Sequence, residues 1–98
     1  MSEPTTTYEG YTFNGPFSIN TSFNTVAGIY LITTLQGTIV DVGETENLKE
    51  RIPNHERRDC WAKNNGVNLY FHHENNQEQR LKKEKFFRIK GNPACGVK

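Results

Sequence analysis

Five polar side chains in this sequence belong to types that bind phosphate, transfer protons or hold metal ions: Tyr30, Asp41, Arg51, His55 and Glu84. Arg51 precedes His55 by four residues, a spacing that would place both on one exposed face of a helix. An arginine can bind the non-bridging oxygens of a phosphate through two parallel hydrogen bonds, and it stays charged at any relevant pH. A tyrosine phenol, with a pKa of about 10, needs a nearby cation before it can accept a proton. Tyr30, Arg51 and Glu84 also have a structural alternative, as ordinary strand or helix side chains.

A short helix is predicted to carry Arg51. Asn47 is a favourable residue for a helix N-cap, and Glu50 three positions later completes a capping-box pattern. Leu48 and Ile52 lie four residues apart and are expected to face the core. The opposite face of the helix then carries the polar side chains.

Three strands and two helices are predicted to position these residues. Residues 27–35 and 38–42 form an antiparallel hairpin, because the Gln36-Gly37 connection is too short for a parallel crossover. Residues 67–72 alternate apolar and polar side chains, which is typical of a half-buried strand. A long helix follows to about residue 90, and its predicted apolar contacts are Leu81, Phe86, Phe87 and Ile89. The order β-β-α-β-α predicts an α+β domain with a small three-stranded antiparallel sheet flanked by helices.

Residues 1–24 are predicted to form an N-terminal extension that packs partly on the sheet, with the main domain at residues 25–98. Aromatic and aliphatic residues recur at odd positions from Tyr11 to Phe23, which favours short strand pieces around a turn at Asn14-Gly15. Trp61 is expected to lie in the core, with a stacking platform for nucleic acid as its alternative.

The sequence predicts a soluble protein, since no apolar run approaches the roughly 18 residues of a membrane helix. The first ten residues lack the basic and apolar stretches of a secretory signal. Cys60 and Cys95 are too few for a disulfide framework and lack metal-ligand spacing. A reduced pair of thiols in a cytoplasmic protein is therefore expected.

Charge is distributed unevenly along the chain. Residues 1–48 contain five acids and no Lys or Arg, whereas residues 49–98 contain all twelve Lys and Arg against six acids. This asymmetry favours an anionic partner for the second half, although solvated helices commonly carry such charges. The predicted nucleic-acid-binding residues are Lys49, Arg57, Arg58, Lys83 and Arg88.

These residues and elements together resemble the GIY-YIG nuclease superfamily, over residues 27–96. Gly28-Ile29-Tyr30 is identical to the first motif of the family, and Asp41-Val42-Gly43 stands where the second motif reads Tyr-Ile-Gly. Gly96 occupies the place of a common Asn. The remaining matches in spacing are Leu48, Arg51, His55, Glu84 and Pro93.

The resemblance implies a metal-dependent endonuclease that hydrolyses phosphodiester bonds of double-stranded or branched DNA. Glu84 would hold one Mg²⁺ or Mn²⁺ ion, with Tyr30, Arg51 and His55 completing the catalytic centre. Asp41 replaces the second tyrosine, and with Glu44 it adds negative charge to a phosphate site. Asp41 is then either a second metal ligand or general base, or a sign of a catalytically lapsed module that binds nucleic acid or a protein partner. The chain shows no attached DNA-binding domain, so sequence preference is expected to be weak or supplied by a partner protein.

Overall fold

The computed structural model describes residues 4–96 and contains five strands and three helices. The strands are β1 (Thr5–Tyr8), β2 (Tyr11–Ser18), β3 (Gly28–Thr33), β4 (Ile39–Thr45) and β5 (Asn68–His73). The helices are α1 (Leu48–Arg51), α2 (Arg58–Lys63) and α3 (Gln77–Gly91). The outermost residues of the two predicted units, 1–3 and 97–98, lie outside the described residues.

All five strands form one antiparallel sheet in the order β1-β2-β5-β3-β4. The chain is an α+β fold, but the predicted three-stranded sheet is wrong, because β1 and β2 extend it beyond β5. The turn predicted at Asn14-Gly15 is also wrong, since β2 continues through it with a register shift between Asn14 and Phe17. The hairpin turn lies instead at Glu9 and Gly10, where φ is 51° and 81°. Two successive positive φ angles are typical of a type I′ turn.

Strand β3 lies between β5 and β4 in the sheet, and all six of its residues are buried. Because successive side chains of a strand point to opposite faces, β3 contributes to two separate cores. Tyr30 and Ile32 pack with Trp61 on the face covered by α1 and α2, while Ile29 and Leu31 pack with Phe87 of α3 on the other. The prediction that Trp61 belongs to the core is confirmed, since its exposed fraction is 0%.

Helix α1 is a single turn, and this brevity changes the position of His55. The side-chain oxygen of Asn47 accepts a hydrogen bond from the backbone N–H of Glu50, so the predicted N-cap is confirmed. Leu48 and Ile52 are buried, also as predicted. The prediction that His55 lies on an exposed helical face is wrong, because α1 has ended by Ile52 and the chain turns inward.

Helix α3 begins at Asn76, whose side chain accepts from the backbone N–H of Gln79. Its apolar side chains are less buried than the sequence predicts. Of the four expected apolar contacts only Phe87 is buried, whereas Leu81, Phe86 and Ile89 are 50%, 37% and 71% exposed. The helix attaches to the sheet through Phe87 and through the side chains of Arg80 and Arg88, which bind Glu44 and Asp41 of β4.

Cys60 and Cys95 form a disulfide bond, so the predicted reduced thiol pair is wrong. The two residues are 35 positions apart in sequence, and no local pattern indicates their pairing. The backbone N–H of Cys95 donates to the carbonyl of Val40, which holds the segment after α3 against β4, while the disulfide links it to α2. Among residues 4–96, no helix has the length and apolar character needed to cross a membrane.

Candidate functional site

A polar cavity of about 380 Å³ lies between the α1–α2 segment, the ends of β3 and β4, and α3. We call it the central cavity, and it is lined by Tyr30, Glu44, Arg51, Arg57, Glu84 and Arg88. Three of the five predicted catalytic residues are thus brought together on its surface. The other two, Asp41 and His55, lie behind the lining and form hydrogen bonds to it.

Tyr30 and His55 form a buried hydrogen-bonded pair, with 2.7 Å between the phenolic oxygen and Nε2. Nδ1 of His55 accepts a hydrogen bond of 3.0 Å from the backbone N–H of Arg57. Because a backbone amide can only donate, Nδ1 carries no proton, and neutral His55 must carry its proton on Nε2. His55 therefore donates to the oxygen of Tyr30, which leaves the phenolic hydrogen free to donate elsewhere.

Both members of this pair are held in their neutral forms. Burial, followed by the positive charges of Arg51 and Arg57, lowers the pKa of His55 to about 4. Burial also raises the pKa of Tyr30 to about 12, although the adjacent Arg51 acts in the opposite direction. At neutral pH the pair is an uncharged imidazole and an uncharged phenol.

Gly43 is required by the position of the Tyr30 ring. The two residues are direct partners in the β3–β4 ladder. A Cβ atom on Gly43 would lie 2.2 Å from both Cζ and the phenolic oxygen of Tyr30, which is far inside van der Waals contact. The glycine of the second family motif therefore has a local physical reason here, independent of any resemblance.

Asp41 is completely buried and accepts four hydrogen bonds. One carboxylate oxygen accepts from the backbone N–H of Val42 and from Arg88, and the other accepts from Nε of Arg57 and Nε1 of Trp61, all at 2.8 Å. Arg88 also donates to the carbonyl oxygens of Val42 and Cys95. A single carboxylate thus fixes two guanidinium groups that come from different elements and line the same cavity.

Arg51 is held on the rim of the central cavity by Glu56. The two side chains form a bidentate ion pair with distances of 2.7 and 3.0 Å, and this pairing lowers the pKa of Glu56 to about 2. Glu56 itself is exposed, with 60% of its side chain accessible. A phosphate that approached Arg51 would therefore compete with a solvated carboxylate.

The two acids of the lining, Glu44 and Glu84, differ in their surroundings. Glu44 accepts a hydrogen bond of 3.0 Å from Nε of buried Arg80, so its charge is compensated. Among residues 4–96, Glu84 takes part in no salt bridge. Burial raises the pKa of Glu84, partly offset by Arg88. Glu84 is thus the carboxylate of this cavity that lacks a salt-bridge partner among the described residues.

A divalent metal of the predicted kind fits this donor set. The predicted ion uses one protein carboxylate, with water and phosphate supplying its other ligands. Glu84 offers such an oxygen in a cavity of sufficient volume. No group of three or more His, Cys, Asp or Glu side chains in residues 4–96 could form a metal site built entirely from protein ligands.

The predicted nucleic-acid-binding residues lie in three places. Arg57 and Arg88 line the central cavity. Lys49 and Arg58 line a second cavity on the other side of α1. Lys83 lines neither; its ammonium group lies 2.8 Å from both Glu74 and His72.

Two contributors to the site, Glu56 and Arg80, are not predicted from the sequence. One signal for Arg80 was available, since Arg80, Glu84 and Arg88 lie at intervals of four residues and must share a face of a continuous helix. The pairing of Arg51 with Glu56 crosses the end of a helix and has no comparable pattern.

Comparisons with known proteins gave no match to a family model, a curated protein or a solved structure. The resemblance to the GIY-YIG superfamily therefore stays a prediction. A functional assignment depends on the geometry of the central cavity.

Proposed function

We propose that this protein is a metal-dependent phosphodiesterase that acts on DNA as an endonuclease of the GIY-YIG type. One observation carries the proposal: a hydrogen-bonded Tyr–His pair, three arginines and a carboxylate without a salt-bridge partner among residues 4–96 converge on one cavity. Hydrolysis of a phosphodiester needs a positioned nucleophile, cations for the developing negative charge, and assistance to the leaving oxygen.

The arginines supply the phosphate site. Arg57 and Arg88 are fixed by Asp41 and line the cavity, and Arg51 adds a third cation at the rim. Asp41 and Glu44 would repel a phosphate less than two free carboxylates, because each is already paired with arginine. In this proposal Asp41 is a positioning residue, because its four hydrogen bonds leave no oxygen lone pair for a metal or a proton.

Tyr30 is the residue proposed to contact the attacking water. Its oxygen accepts from His55, so its own proton points away from the imidazole and is available to the cavity. The neutral phenol would orient this water through its hydroxyl group without taking a proton from it, while the N–H of His55 and the adjacent guanidinium of Arg51 hold the phenolic oxygen in place. His55 then orients Tyr30 rather than accepting a proton itself.

Glu84 would hold the metal ion, which supplies Lewis-acid stabilisation of phosphate and leaving-group oxygens when bound. A carboxylate binds metal in its ionised form, and the pKa of Glu84 is raised. As the pH falls, Glu84 should therefore become protonated, and activity should be lost, at a higher pH than with an ordinary glutamate. Specificity for DNA structure would come from a weak intrinsic preference of this domain or from a partner protein.

The predicted cytoplasmic location also stays a prediction. The Cys60–Cys95 disulfide weighs against it, because structural disulfides are rare where glutathione and thioredoxin keep thiols reduced.

A second candidate function, nucleic-acid binding without hydrolysis, is favoured by the bidentate Arg51–Glu56 pair. If Glu56 keeps Arg51 occupied when DNA is bound, the rim cation does not reach the phosphate. The fold would then act as a binding module with a lapsed active site.

Nicking of supercoiled plasmid separates the two functions. The purified protein would be incubated with Mg²⁺ or Mn²⁺, with a chelator, and as the Glu84→Gln variant. The matched control is Glu78→Gln, an exposed glutamate on the same helix whose side chain is 76% accessible. Hydrolysis predicts nicking that requires metal and falls by about 100-fold or more in Glu84→Gln only. Equal nicking by both variants would contradict the assigned site. If the protein binds the plasmid without metal, measured as a gel shift, but does not nick it, the second function is supported.

A further inference from the structure

A second cavity of about 400 Å³ lies on the far side of α1 from the central cavity. We call it the loop cavity, because the segment 19–23 that follows β2 forms one wall, with Lys49, Pro53 and Arg58 on the other. Its volume is within the range of sites that enclose a small organic ligand. The catalytic roles proposed for the central cavity do not use it.

The charges of the loop cavity have one sign. Lys49 is exposed and Arg58 is half-buried, and no carboxylate is among the lining residues. Neither cation takes part in a salt bridge within residues 4–96, in contrast to Arg51, Arg57 and Arg88. The cavity therefore attracts an anion, and no acid of its lining competes for that anion.

Arg58 is fixed in place by contacts on two sides. Its guanidinium donates to the carbonyl of Ile52 and to the side-chain oxygen of Asn20, both at 3.0 Å, and it lies 5.6 Å from the centre of the Trp61 ring. These contacts use the guanidinium without neutralising it. Positive charge is thus held rigidly at one wall, as an anion site requires.

The opposite wall has the character of a nucleoside site. Phe23 supplies an aromatic ring, while Asn20, Thr21 and Ser22 supply amide and hydroxyl groups that can both donate and accept hydrogen bonds. Aromatic stacking combined with basic contacts to the backbone is the usual way in which proteins hold a single strand of nucleic acid.

The position of the loop cavity connects it with the central cavity. Lys49 and Arg51 belong to one turn of helix, yet Lys49 lines the loop cavity and Arg51 the central cavity. In the same way, Arg58 lines the loop cavity and the preceding residue, Arg57, lines the central cavity. A nucleic-acid strand that crosses α1 would meet both cavities.

We propose that the loop cavity is a nucleotide subsite, which binds the base and phosphate of a nucleic-acid strand extending from the central cavity. This inference rests on the proposed function for the identity of the ligand, but it predicts binding that needs neither metal nor cleavage.

Affinity for a fluorescein-labelled thymidine oligonucleotide, measured by anisotropy in the presence of chelator, tests the subsite. Lys49→Glu changes an exposed residue and is compared with Lys85→Glu, an exposed lysine of α3 that lines neither cavity. Loss of one phosphate contact should lower affinity about tenfold at about 50 mM salt and reduce the slope of log K against log salt by about 1. Lys85→Glu should change affinity less than about twofold. Equal losses in both variants would overturn the proposal, since they would show only a general charge effect.

Amide chemical shifts identify the ligand and separate the two proposals. Titration with the unlabelled oligonucleotide should move the signals of residues 19–23 and Lys49, whereas inorganic phosphate at the same concentration should not. Identical shifts with phosphate would overturn nucleotide recognition. Absence of nicking together with a loss specific to Lys49→Glu would refute the hydrolase and support the subsite. Nicking that depends on Glu84, without any specific effect of Lys49→Glu, would support the hydrolase and refute the subsite.

Discussion

Replacing Asp41 by Asn tests whether this carboxylate organises the site. The side chain is fully buried and accepts four hydrogen bonds, two of them from arginines. An asparagine removes the charge that compensates both guanidinium groups, and its NH₂ group points at donors whichever way the amide is turned. Breaking a buried ion pair by removing one partner costs about 3–5 kcal/mol. Since about 1 kcal/mol lowers the Tm of such a domain by about 4–8 °C, Tm should fall by at least about 12 °C.

Urea unfolding followed by circular dichroism, together with a thermal scan at neutral pH, measures this loss. Asp59→Asn is the matched control, because Asp59 is an exposed residue of α2 with no salt bridge among the described residues. An Asp41→Asn variant within about 1 kcal/mol of Asp59→Asn would refute the reasoning, since two arginines left without their buried counter-ion should destabilise the domain by more than that.

Three further predictions concern the surroundings of the site. Because the pKa of His55 is lowered to about 4 in the folded chain and is about 6.5 in the unfolded chain, protons bind preferentially to the unfolded state in mild acid. Because of His55, the free energy of unfolding measured in urea should be about 2 kcal/mol lower at about pH 5 than at about pH 7. Gly43→Ala should cost about 1–3 kcal/mol in the same assay, because the new methyl group displaces the Tyr30 ring. The Cys60–Cys95 disulfide joins residues 35 positions apart in sequence. Its reduction should lower the free energy of unfolding by about 3–4 kcal/mol, as measured with and without dithiothreitol.

Each of these three predictions can be contradicted by a specific result. His55→Gln should remove much of the acid sensitivity, while an unchanged pH profile would show that other groups cause it. Tyr30→Leu should partly rescue Gly43→Ala, and strictly additive losses would mean that the methyl group clashes elsewhere. The Cys60→Ser variant should be insensitive to dithiothreitol; sensitivity equal to wild type would place the effect outside the disulfide.

The features that the sequence predicts correctly have local causes. The N-cap at Asn47 depends on residues three positions apart, and the burial of Trp61 follows from its size. The hairpin of β3 and β4 follows from two apolar runs and a short connection. In each case the determining residues are neighbours in the chain.

The features that the sequence does not predict depend on partners far apart in the chain. Asp41 meets Arg57 and Arg88 at separations of 16 and 47 residues, and the pairing of β2 with β5 crosses the whole domain. The spacing from Arg51 predicts an exposed His55 only along a continuous helix, and α1 ends after one turn. Buried His55 instead contacts Tyr30, which is 25 residues away in the chain, and the ring of Trp61.

The arrangement of two arginines on one buried carboxylate also has an entropic consequence for ligand binding. A flexible, rotamer-rich side chain loses about 0.5–1.5 kcal/mol of conformational freedom when a ligand immobilises it. Arg57 and Arg88 have already lost that freedom on folding, because Asp41 holds both in the absence of any ligand. The binding of a phosphate therefore avoids an entropic cost of about 1–3 kcal/mol for these two side chains, which corresponds to a gain of roughly fivefold to hundredfold in affinity. The folding of the domain, rather than the ligand, orders this part of the binding surface.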